Sequence, residues 1–517
     1  ITKTEDQQTY GDVLLNIDKT FGANWSLQAN VGAVISDIRQ DAFKNRGPIM
    51  ESGIANLFNV FQLDDTRVTR EQSGWREQYQ SLFASAEIGY KGTYYLTLTG
   101  RNDWPSQLAG PQSVKASFFY PSVGASVVLS QLIPDMPENL SYVKVRGSWA
   151  SVGMPFARFL ANPVYVWDAD NKVWKTETNY PFYDLKPERT DSWEVGLTMR
   201  FLKHFNLDVS YYNTKTYNQT FDPQISVSSG YSTLYVQTGS VRNRGIELAL
   251  GYGNKWGEFS WSSNFTLSSN QNRILELVDN YRHPETGQFV TKDRLDVGGL
   301  NQAHFILKKG GSLGDLYSII DLKRDANGHI YVDENDRIYT VSENLDDIRL
   351  GSVFPKANMA WRNDFRWKNL SFGFMVSARI GGIVYSATQA QLDYYGVSED
   401  SAAARDAGGV AVNRGSLLPA YNWYEVVGGK NIPQYYTYSA TNVRLQEASI
   451  GYTIPKEKLG GVCEINLSLV GRNLWMIYCK APFDPEAVAT TGNYYQGIDY
   501  FMMPSLRNIG FNMRLKF

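Results

Sequence analysis

The chain has 517 residues, and its 50 basic and 52 acidic residues leave a net charge of −2, which offers no electrostatic basis for binding nucleic acid. Hydrophobic residues make up 43% of the sequence, yet the mean hydropathy is −0.35 and no stretch approaches about 18 consecutive apolar residues. The composition therefore excludes a disordered chain and a helical membrane protein. Its 2 cysteines are too few for a disulfide scaffold.

Apolar and polar residues alternate along many segments of the chain. Alternation of period two predicts β-strands with one face in an apolar medium and the other in a polar one. It predicts fifteen strands, at residues 9–18, 25–35, 79–90, 93–101, 118–130, 141–152, 191–201, 205–217, 240–252, 257–270, 357–367, 370–384, 441–453, 463–473 and 506–517. Most are longer than the usual soluble strand of about 5–6 residues and match the roughly 9–11 residues that cross a bilayer. Strand length therefore favours a transmembrane antiparallel β-barrel over a sandwich or propeller.

Short and long connections alternate between these strands. Short ones are predicted at 19–24, 91–92, 131–140, 202–204, 253–256, 368–369 and 454–462. Longer ones are predicted at 36–78, 102–117, 153–190, 218–239, 271–356, 385–440 and 474–505. Outer-membrane barrels show this asymmetry, with tight periplasmic turns and long extracellular loops.

The strand count sets the direction and the closure of the sheet. Strand 506–517 follows a long loop and ends on Phe517, so the C-terminus is expected in the periplasm and Ile1 on the extracellular side. Bacterial barrels close with an even number of strands, whereas fifteen is odd. We therefore expect that strands 9–18 and 506–517 do not pair with each other. The strands that complete the barrel are expected to precede Ile1 or to belong to another chain. A count wrong by one would instead allow a closed barrel of 14 or 16 strands.

Several motifs resemble those of the SusC/RagA family of TonB-dependent outer-membrane transporters from Bacteroidetes. The general ones are Leu185-Lys-Pro-Glu-Arg-Thr-Asp-Ser-Trp-Glu-Val-Gly196, Phe205-Asn-Leu-Asp-Val-Ser-Tyr-Tyr212 and Asn243-Arg-Gly-Ile-Glu247. The more specific ones are Asn442-Val-Arg-Leu-Gln-Glu-Ala-Ser-Ile-Gly-Tyr-Thr-Ile-Pro455, Gly471-Arg-Asn-Leu-Trp475, Phe483-Asp-Pro-Glu486, Met503-Pro504 and the closing Gly510–Phe517. The motifs cover residues 185–517 strongly, and residues 1–184 fit the same barrel more loosely.

The resemblance implies a probable 22-stranded barrel of which residues 1–517 form the C-terminal portion, with the plug, the N-terminal extension and the first strands outside this chain. It implies import of a nutrient oligomer, more commonly an oligosaccharide and next an oligopeptide. The implied partners are a SusD-like surface lipoprotein that caps the extracellular loops, TonB acting through the plug, outer-membrane lipid, and a dimer of transporter–lipoprotein pairs. A passive porin-like barrel and a non-transporting surface β protein remain the alternatives.

Aromatic residues cluster in the long loop 385–440, where flat rings could stack on sugars or bury apolar side chains of peptides. The substrate-binding candidates are Tyr394, Tyr395, Tyr421, Trp423, Tyr424, Tyr435 and Tyr436, with Tyr421, Trp423 and Tyr424 the best for stacking. The alternatives are packing between loops, a membrane-interface girdle and contact with a partner protein. Because loops this long are normally functional or disordered, 271–356 and 385–440 are expected to contact the lipoprotein.

The last strand can also be interpreted as a barrel-assembly signal. Its residues Gly510, Phe511, Met513, Leu515 and the terminal Phe517 offer an edge with an apolar face that insertion machinery could pair with. Any last strand of a barrel would alternate in the same way. On other strands, Arg146, Arg200, Arg366 and Arg472 are expected to point into the lumen and to pair with acidic neighbours or hold a plug.

Metal-binding and catalytic signals are weak. Asp325, Asn327, Asp333 and Asp336 offer oxygen ligands for Ca²⁺, but Ile330 stands where an EF-hand needs glycine, so a solvated Asn-Gly turn is preferred. The four histidines, His204, His283, His304 and His329, have no metal-ligand spacing. No catalytic set appears, so we expect neither an enzyme nor a cofactor.

Overall fold

The computed structural model describes residues 1–111, 113–133, 136–137, 139–161, 164–175, 179–180, 185–221, 233–234, 236–282, 289–343, 347–413, 415–490 and 495–517. Fifteen strands form one antiparallel sheet in which every strand pairs with its neighbours in this order. They are β1 (Thr2–Phe21), β2 (Trp25–Arg46), β3 (Thr69–Tyr90), β4 (Tyr94–Pro105), β5 (Phe118–Val128), β6 (Leu140–Met154), β7 (Glu188–Phe201), β8 (Phe205–Phe221), β9 (Val236–Trp256), β10 (Phe259–Glu276), β11 (Ala357–Trp367), β12 (Leu370–Ile380), β13 (Asn442–Ile454), β14 (Glu464–Cys479) and β15 (Asn508–Lys516). The predicted fold class and all fifteen strands are confirmed.

The register assigns alternate side chains to an apolar and a polar face of the sheet. Across β8, β9 and β10, Val209, Leu248 and Leu267 lie side by side on the apolar face. The next residues in register, Ser210, Glu247 and Ser268, lie on the polar face. The same division runs from β1 to β15, so that one face meets lipid and the other lines the lumen of a barrel.

Several strands are longer than the apolar alternation predicts. β2 and β3 have 22 residues each, so the predicted loop 36–78 shrinks to 47–68. Pairing continues because ladder hydrogen bonds need only backbone groups, whatever the side chains are.

The predicted turn at 253–256 is wrong: β9 continues to Trp256, and the turn lies at Gly257, where a φ of +58° favours glycine.

Aromatic rings gather on the apolar face near the short turns. Trp25 lies 4.6 Å from Tyr90 between ring centroids, and Trp261 stacks on Phe365 at 6.1 Å. Aromatic residues of this kind mark the membrane–water interface of a barrel, where the rings are partly apolar and partly wet.

The sheet does not close on itself. In the described part of the chain, β1 pairs with β2 alone and β15 with β14 alone, as the odd strand count predicts.

Of the predicted assembly residues, Phe511, Met513 and Leu515 face the apolar side opposite Leu469, Leu467 and Ile465, while Gly510 faces the polar side. Phe517 follows the strand and is exposed, and the assembly role itself stays a prediction. Among the described residues, no helix is long and apolar enough to cross a membrane.

The connections at one end of the sheet fold into further structure. The helices are α1 (Ala387–Tyr394), α2 (Glu399–Asp406) and α3 (Ala420–Val427), and a four-stranded sheet is formed by Arg294–Leu300, Ala303–Lys308, Asp315–Ser318 and Ile348–Ser352. Shorter strands are Val166–Asp168, Val173–Lys175, Asn179–Tyr180, Thr233–Leu234, Val278–Arg282, Phe289–Lys292, Asp321–Leu322, Thr340–Val341, Ile383–Ser386, Val410–Val412, Ser416–Leu418, Thr437–Ser439 and Ile498–Asp499. The 3₁₀ helices include Val60–Gln62, Ser106–Leu108, Leu129–Gln131, Pro433–Tyr435 and Lys456–Leu459.

We predict that Leu469→Arg destabilises the barrel much more than Ser468→Arg, its neighbour on the polar face. An arginine that faces lipid near the bilayer midplane costs about 2–4 kcal/mol, whereas an arginine in the lumen stays hydrated. Urea unfolding in lipid vesicles, followed by the heat-modifiable gel shift, measures the difference. Equal losses of stability in the two variants would contradict this assignment of the faces.

Candidate functional site

The polar face of the sheet carries charges that are paired with each other. On β6, the guanidinium of Arg146 donates two hydrogen bonds to Asp208 on β8, at 2.9 and 3.0 Å, and lies 3.6 Å from Glu194 on β7. A bidentate pair of this kind fixes both side chains against the wall. The expectation that Arg146 pairs with acidic neighbours is confirmed.

A second ion-pair cluster lies on β11, β13 and β14. Glu447 accepts from Arg472 at 3.2 Å and from Arg362 at 3.4 Å, and Arg362 also contacts Asp364 at 2.9 Å. Glu447, Arg472 and Arg362 border a cavity of about 670 Å³ on the polar face, and Arg366 also lines it. The rest of its wall combines hydroxyl and amide groups, among them Ser371, Ser449 and Asn512, with the charged side chains of Lys368, Glu464 and Arg514. Glu447 therefore compensates part of the positive charge around this cavity, which presents both basic side chains and neutral hydrogen-bonding groups.

The connections after β10, β12 and β14 pack into a common hydrophobic core, which we call the loop layer: the described residues of 289–356, 381–441 and 495–501. Side chains far apart in sequence meet in this core, among them Phe305, Leu316, Tyr385, Ala390, Trp423, Ile432, Tyr436 and Ile498. Most of them are fully buried. The loop layer is thus a folded unit with its own core, carried on one end of the sheet.

Two of the seven predicted substrate-binding aromatics lie in that core. Trp423 is only 8% exposed and Tyr436 only 2%, and the Trp423 ring meets Tyr435 edge to face at 5.3 Å. A ring buried in this way has no free face for a sugar, so the structure does not support Trp423 as a stacking platform. Tyr424 and Tyr435 are half-buried, and burial raises the pKa of Tyr424 to about 12.

The other three predicted aromatics are exposed. Tyr421 is 73% exposed and Tyr395 70%, and Tyr394 packs edge to face on Tyr395 at 4.9 Å. They are carried by α1 and α3, which approach closely because Gly428 has no side chain. A Cβ at that position would lie 2.8 Å from the carbonyl oxygen of Ala390.

A buried ion pair fastens the segment after β14 onto β13. The guanidinium of Arg444 donates to both carboxylate oxygens of Asp484, at 2.8 and 3.1 Å, and lies 3.3 Å from Glu486. Burial alone would raise the pKa of Asp484, but hydrogen bonds from Arg444 hold it below its ordinary value. Both residues belong to motifs noted in the sequence, Asn442–Pro455 and Phe483–Glu486. The sequence therefore contained both motifs that form this ion pair, although it did not show that they meet in the folded protein.

The candidate calcium segment is occupied by turns. Asp325 accepts the backbone N–H groups of Asn327 and His329, at 2.8 and 2.9 Å. Asp333 likewise accepts those of Asn335 and Arg337, both at 2.9 Å. Among the described residues, no group of three or more His, Cys, Asp or Glu side chains could hold a metal ion. His283 lies outside the described residues. These hydrogen bonds support the turn interpretation.

Several known proteins are similar to this chain in sequence. The family described as TonB dependent receptor-like, beta-barrel matches residues 2–299. Two receptors of Formosa agariphila are similar: TonB-dependent receptor P3, 24% identical over 98% of this chain, and TonB-dependent receptor P26, 26% identical over 96%. The chain spans about half the length of these relatives, 52% in each case.

Solved structures share the fold. The RagAB peptide importer in its open-open state superposes with a TM-score of 0.76 and 16% identity, covering 100% of this chain and 55% of that one. Its closed-closed state gives a TM-score of 0.75, again at 16% identity and covering 100% of this chain and 56% of that one. Likeness at this level of identity shows the architecture and leaves the ligand open.

We predict that Asp484→Asn loosens the segment that follows β14 while the barrel stays folded. Removing one partner of a buried pair costs about 3–5 kcal/mol, whereas Asp364→Asn, in the more exposed pair with Arg362, should cost about 0–1 kcal/mol. Limited proteolysis measures how well the segment after β14 is protected in each variant. Equal protection of that segment in the two variants would contradict the prediction.

The same pair predicts a dependence on pH. Because the folded pKa of Asp484 is depressed, its stabilisation is fully present above the ordinary carboxyl pKa of about 4 and is lost as the pH falls through the lower folded value. Proteolysis after residue 479 should therefore rise in acid in the wild-type protein and change little with pH in Asp484→Asn.

Proposed function

The chain belongs to the TonB-dependent receptor-like β-barrel family, and on that premise we propose that it forms much of the barrel of a TonB-dependent importer of nutrient oligomers in the outer membrane. The observation that carries this proposal is the two-faced sheet. Its apolar face suits lipid, and its polar face carries ion pairs and hydroxyl groups that suit a hydrated solute. On this proposal, a plug-bearing polypeptide and further strands complete the barrel, and TonB acts through the plug.

The orientation follows from the two ends of the sheet. The end with tight turns faces the periplasm, and the end that carries the loop layer faces the outside, so Phe517 is periplasmic and Ile1 extracellular. A passive porin with the same orientation would have no plug. Co-purification of a plug-bearing polypeptide from the outer membrane, and uptake that stops when TonB is absent, distinguish the importer from the porin.

A SusD-like surface lipoprotein is the proposed partner at the loop layer, with two transporter–lipoprotein pairs forming a dimer. Support comes from the folding of the long connections: they are packed around a core of their own and present exposed aromatic rings such as Tyr395 and Tyr421. Rigid, exposed aromatic side chains lose little entropy on binding and are common in protein contacts.

The favoured substrate class is an oligosaccharide. The polar face presents hydroxyl and amide groups between its charged side chains, and such groups suit a ligand rich in hydroxyls. Exposed tyrosine rings can in addition stack on sugar rings. An oligopeptide is the second candidate, favoured by the fold shared with the RagAB peptide importer.

We predict that Tyr421→Ala, made in the complete transporter, weakens oligosaccharide binding, whereas Tyr421→Phe retains it. Loss of one stacking ring costs about 1–3 kcal/mol by analogy with stacked bases, and phenylalanine keeps the ring. Calorimetry with defined oligosaccharides and, in parallel, with oligopeptides measures both. Unchanged binding in Tyr421→Ala, or peptide binding without glycan binding, would overturn the assignment.

Trp423→Ala should act differently, because it removes a buried side chain. We expect it to open a cavity that costs about 3–5 kcal/mol in the loop layer and to raise amide hydrogen exchange across α1 and α3. A variant that lost glycan binding with unchanged exchange would show that the Trp423 ring contacts the ligand.

A further inference from the structure

Three basic side chains lie side by side on the outer face of the sheet. Lys215 on β8 pairs in register with Arg242 on β9, and Arg242 pairs in turn with Arg273 on β10. Lys215 lies an even number of residues from Val209, and Arg242 an even number from Leu248, so they share the apolar face with those two residues. We call Lys215, Arg242 and Arg273 the cationic row.

The cationic row lies just above the apolar band. On β9 the side chains of this face are apolar from Tyr252 to Ile246. Arg242 lies four residues past Ile246, about 13 Å farther along an extended strand, and Arg244 lies between them. Trp193, in the same register row as Arg244, is an aromatic ring of the kind that marks the membrane–water interface. The cationic row is therefore at the level of the lipid headgroups.

The positive charge of the row is not balanced within the described part of the chain. Lys215 and Arg273 are exposed, and none of the three basic residues forms an ion pair with a described carboxylate. Asp191, directly opposite Lys215, accepts a hydrogen bond from Tyr217 instead. The Nε of Arg242 is shielded from solvent and has no hydrogen-bond partner among the described residues. Because like charges directly opposite each other destabilise a sheet, the row calls for an anion that lies outside the described residues.

The place of the row in the sheet excludes several occupants. Six strands lie between β1 and β8, and four lie between β10 and β15, so strands that complete the barrel at its open edges do not reach the row. A plug would lie against the opposite, polar face. The centre of a protein interface is depleted of charged residues, whereas this row is charged throughout.

We propose that the cationic row binds the phosphate of a glycolipid in the outer leaflet, whose acyl chains lie on the apolar band below. Arginine binds phosphate through parallel N–H donors, and lysine binds it as a point charge. Clustered basic residues at a membrane surface attract anionic headgroups in this way. A phosphate would also bridge three like charges that otherwise repel each other. The row belongs to the outer leaflet on the orientation given in the proposed function, on which this inference rests.

Lipid A, a phosphorylated glycolipid, is the probe. The complete transporter is purified, stripped of lipid and titrated with lipid A, and the bound lipid is counted by native mass spectrometry. We expect the wild-type protein to bind lipid A, and the loss of all three charges to weaken binding about tenfold or more. The variant is Lys215→Gln with Arg242→Gln and Arg273→Gln.

A matched control removes three basic charges from the outer face of β2 and β3. It is Arg39→Gln with Arg70→Gln and Arg76→Gln, in which each arginine has an acidic partner in the protein. The control should bind lipid A as the wild type does. Thermal unfolding gives a second measurement, which also shows that the variants fold: lipid A should raise the midpoint of the wild type and the control, and leave that of the cationic-row variant unchanged.

Equal binding of lipid A by the wild type and the cationic-row variant would overturn the proposal. Binding of dephosphorylated lipid A as tight as that of lipid A, or tighter binding of phosphatidylglycerol, would overturn it as well. If a protein co-purifies with the wild type and is lost from the variant, the row contacts that protein and the lipid assignment is wrong. Uptake that continues without TonB would contradict the proposed importer and leave these lipid measurements unchanged, so the two failures are distinguishable.

Discussion

A bilayer offers no water to a backbone N–H or C=O group, so a sheet that spans it must pair every strand along its membrane-crossing length. This constraint accounts for the regularity of the fifteen strands, each hydrogen-bonded to its neighbours in sequence. The strands also continue past the apolar band, as in β2, because ladder hydrogen bonds need only backbone groups. Once the strands are paired, the two-residue alternation sends every second side chain to lipid and leaves the rest for the lumen.

On the lumen side, several charged side chains form ion pairs with one another. Arg146 is held between Asp208 and Glu194, and Glu447 between Arg362 and Arg472, so these groups are fixed to the wall and to each other. Ion pairs across neighbouring strands stiffen the wall while the serine and asparagine side chains between them stay available.

The ends of the strands divide the molecule into two kinds of structure. At the short-turn end the described connections are tight turns and short 3₁₀ helices, and at the other end the chain builds a loop layer with a core of its own. The buried pair of Arg444 with Asp484 fastens one of these connections onto β13, and an exposed pair would hold it far less firmly. The loop between β2 and β3 is held by Gln62, whose side chain accepts from the backbone N–H of Ile54 and donates to the carbonyl of Leu57.

The sequence by itself determined the fifteen strands, their two faces and the alternation of short and long connections, because alternation is a local property of neighbouring residues. It placed one turn wrongly, at 253–256, where composition did not reveal that Gly257 takes the left-handed conformation. Only the tertiary structure decided that Trp423 is buried and Tyr421 exposed, since the loop-layer core joins residues more than a hundred positions apart. The helices α1–α3 were likewise not visible in the sequence, because eight residues make too few turns to establish a helical period.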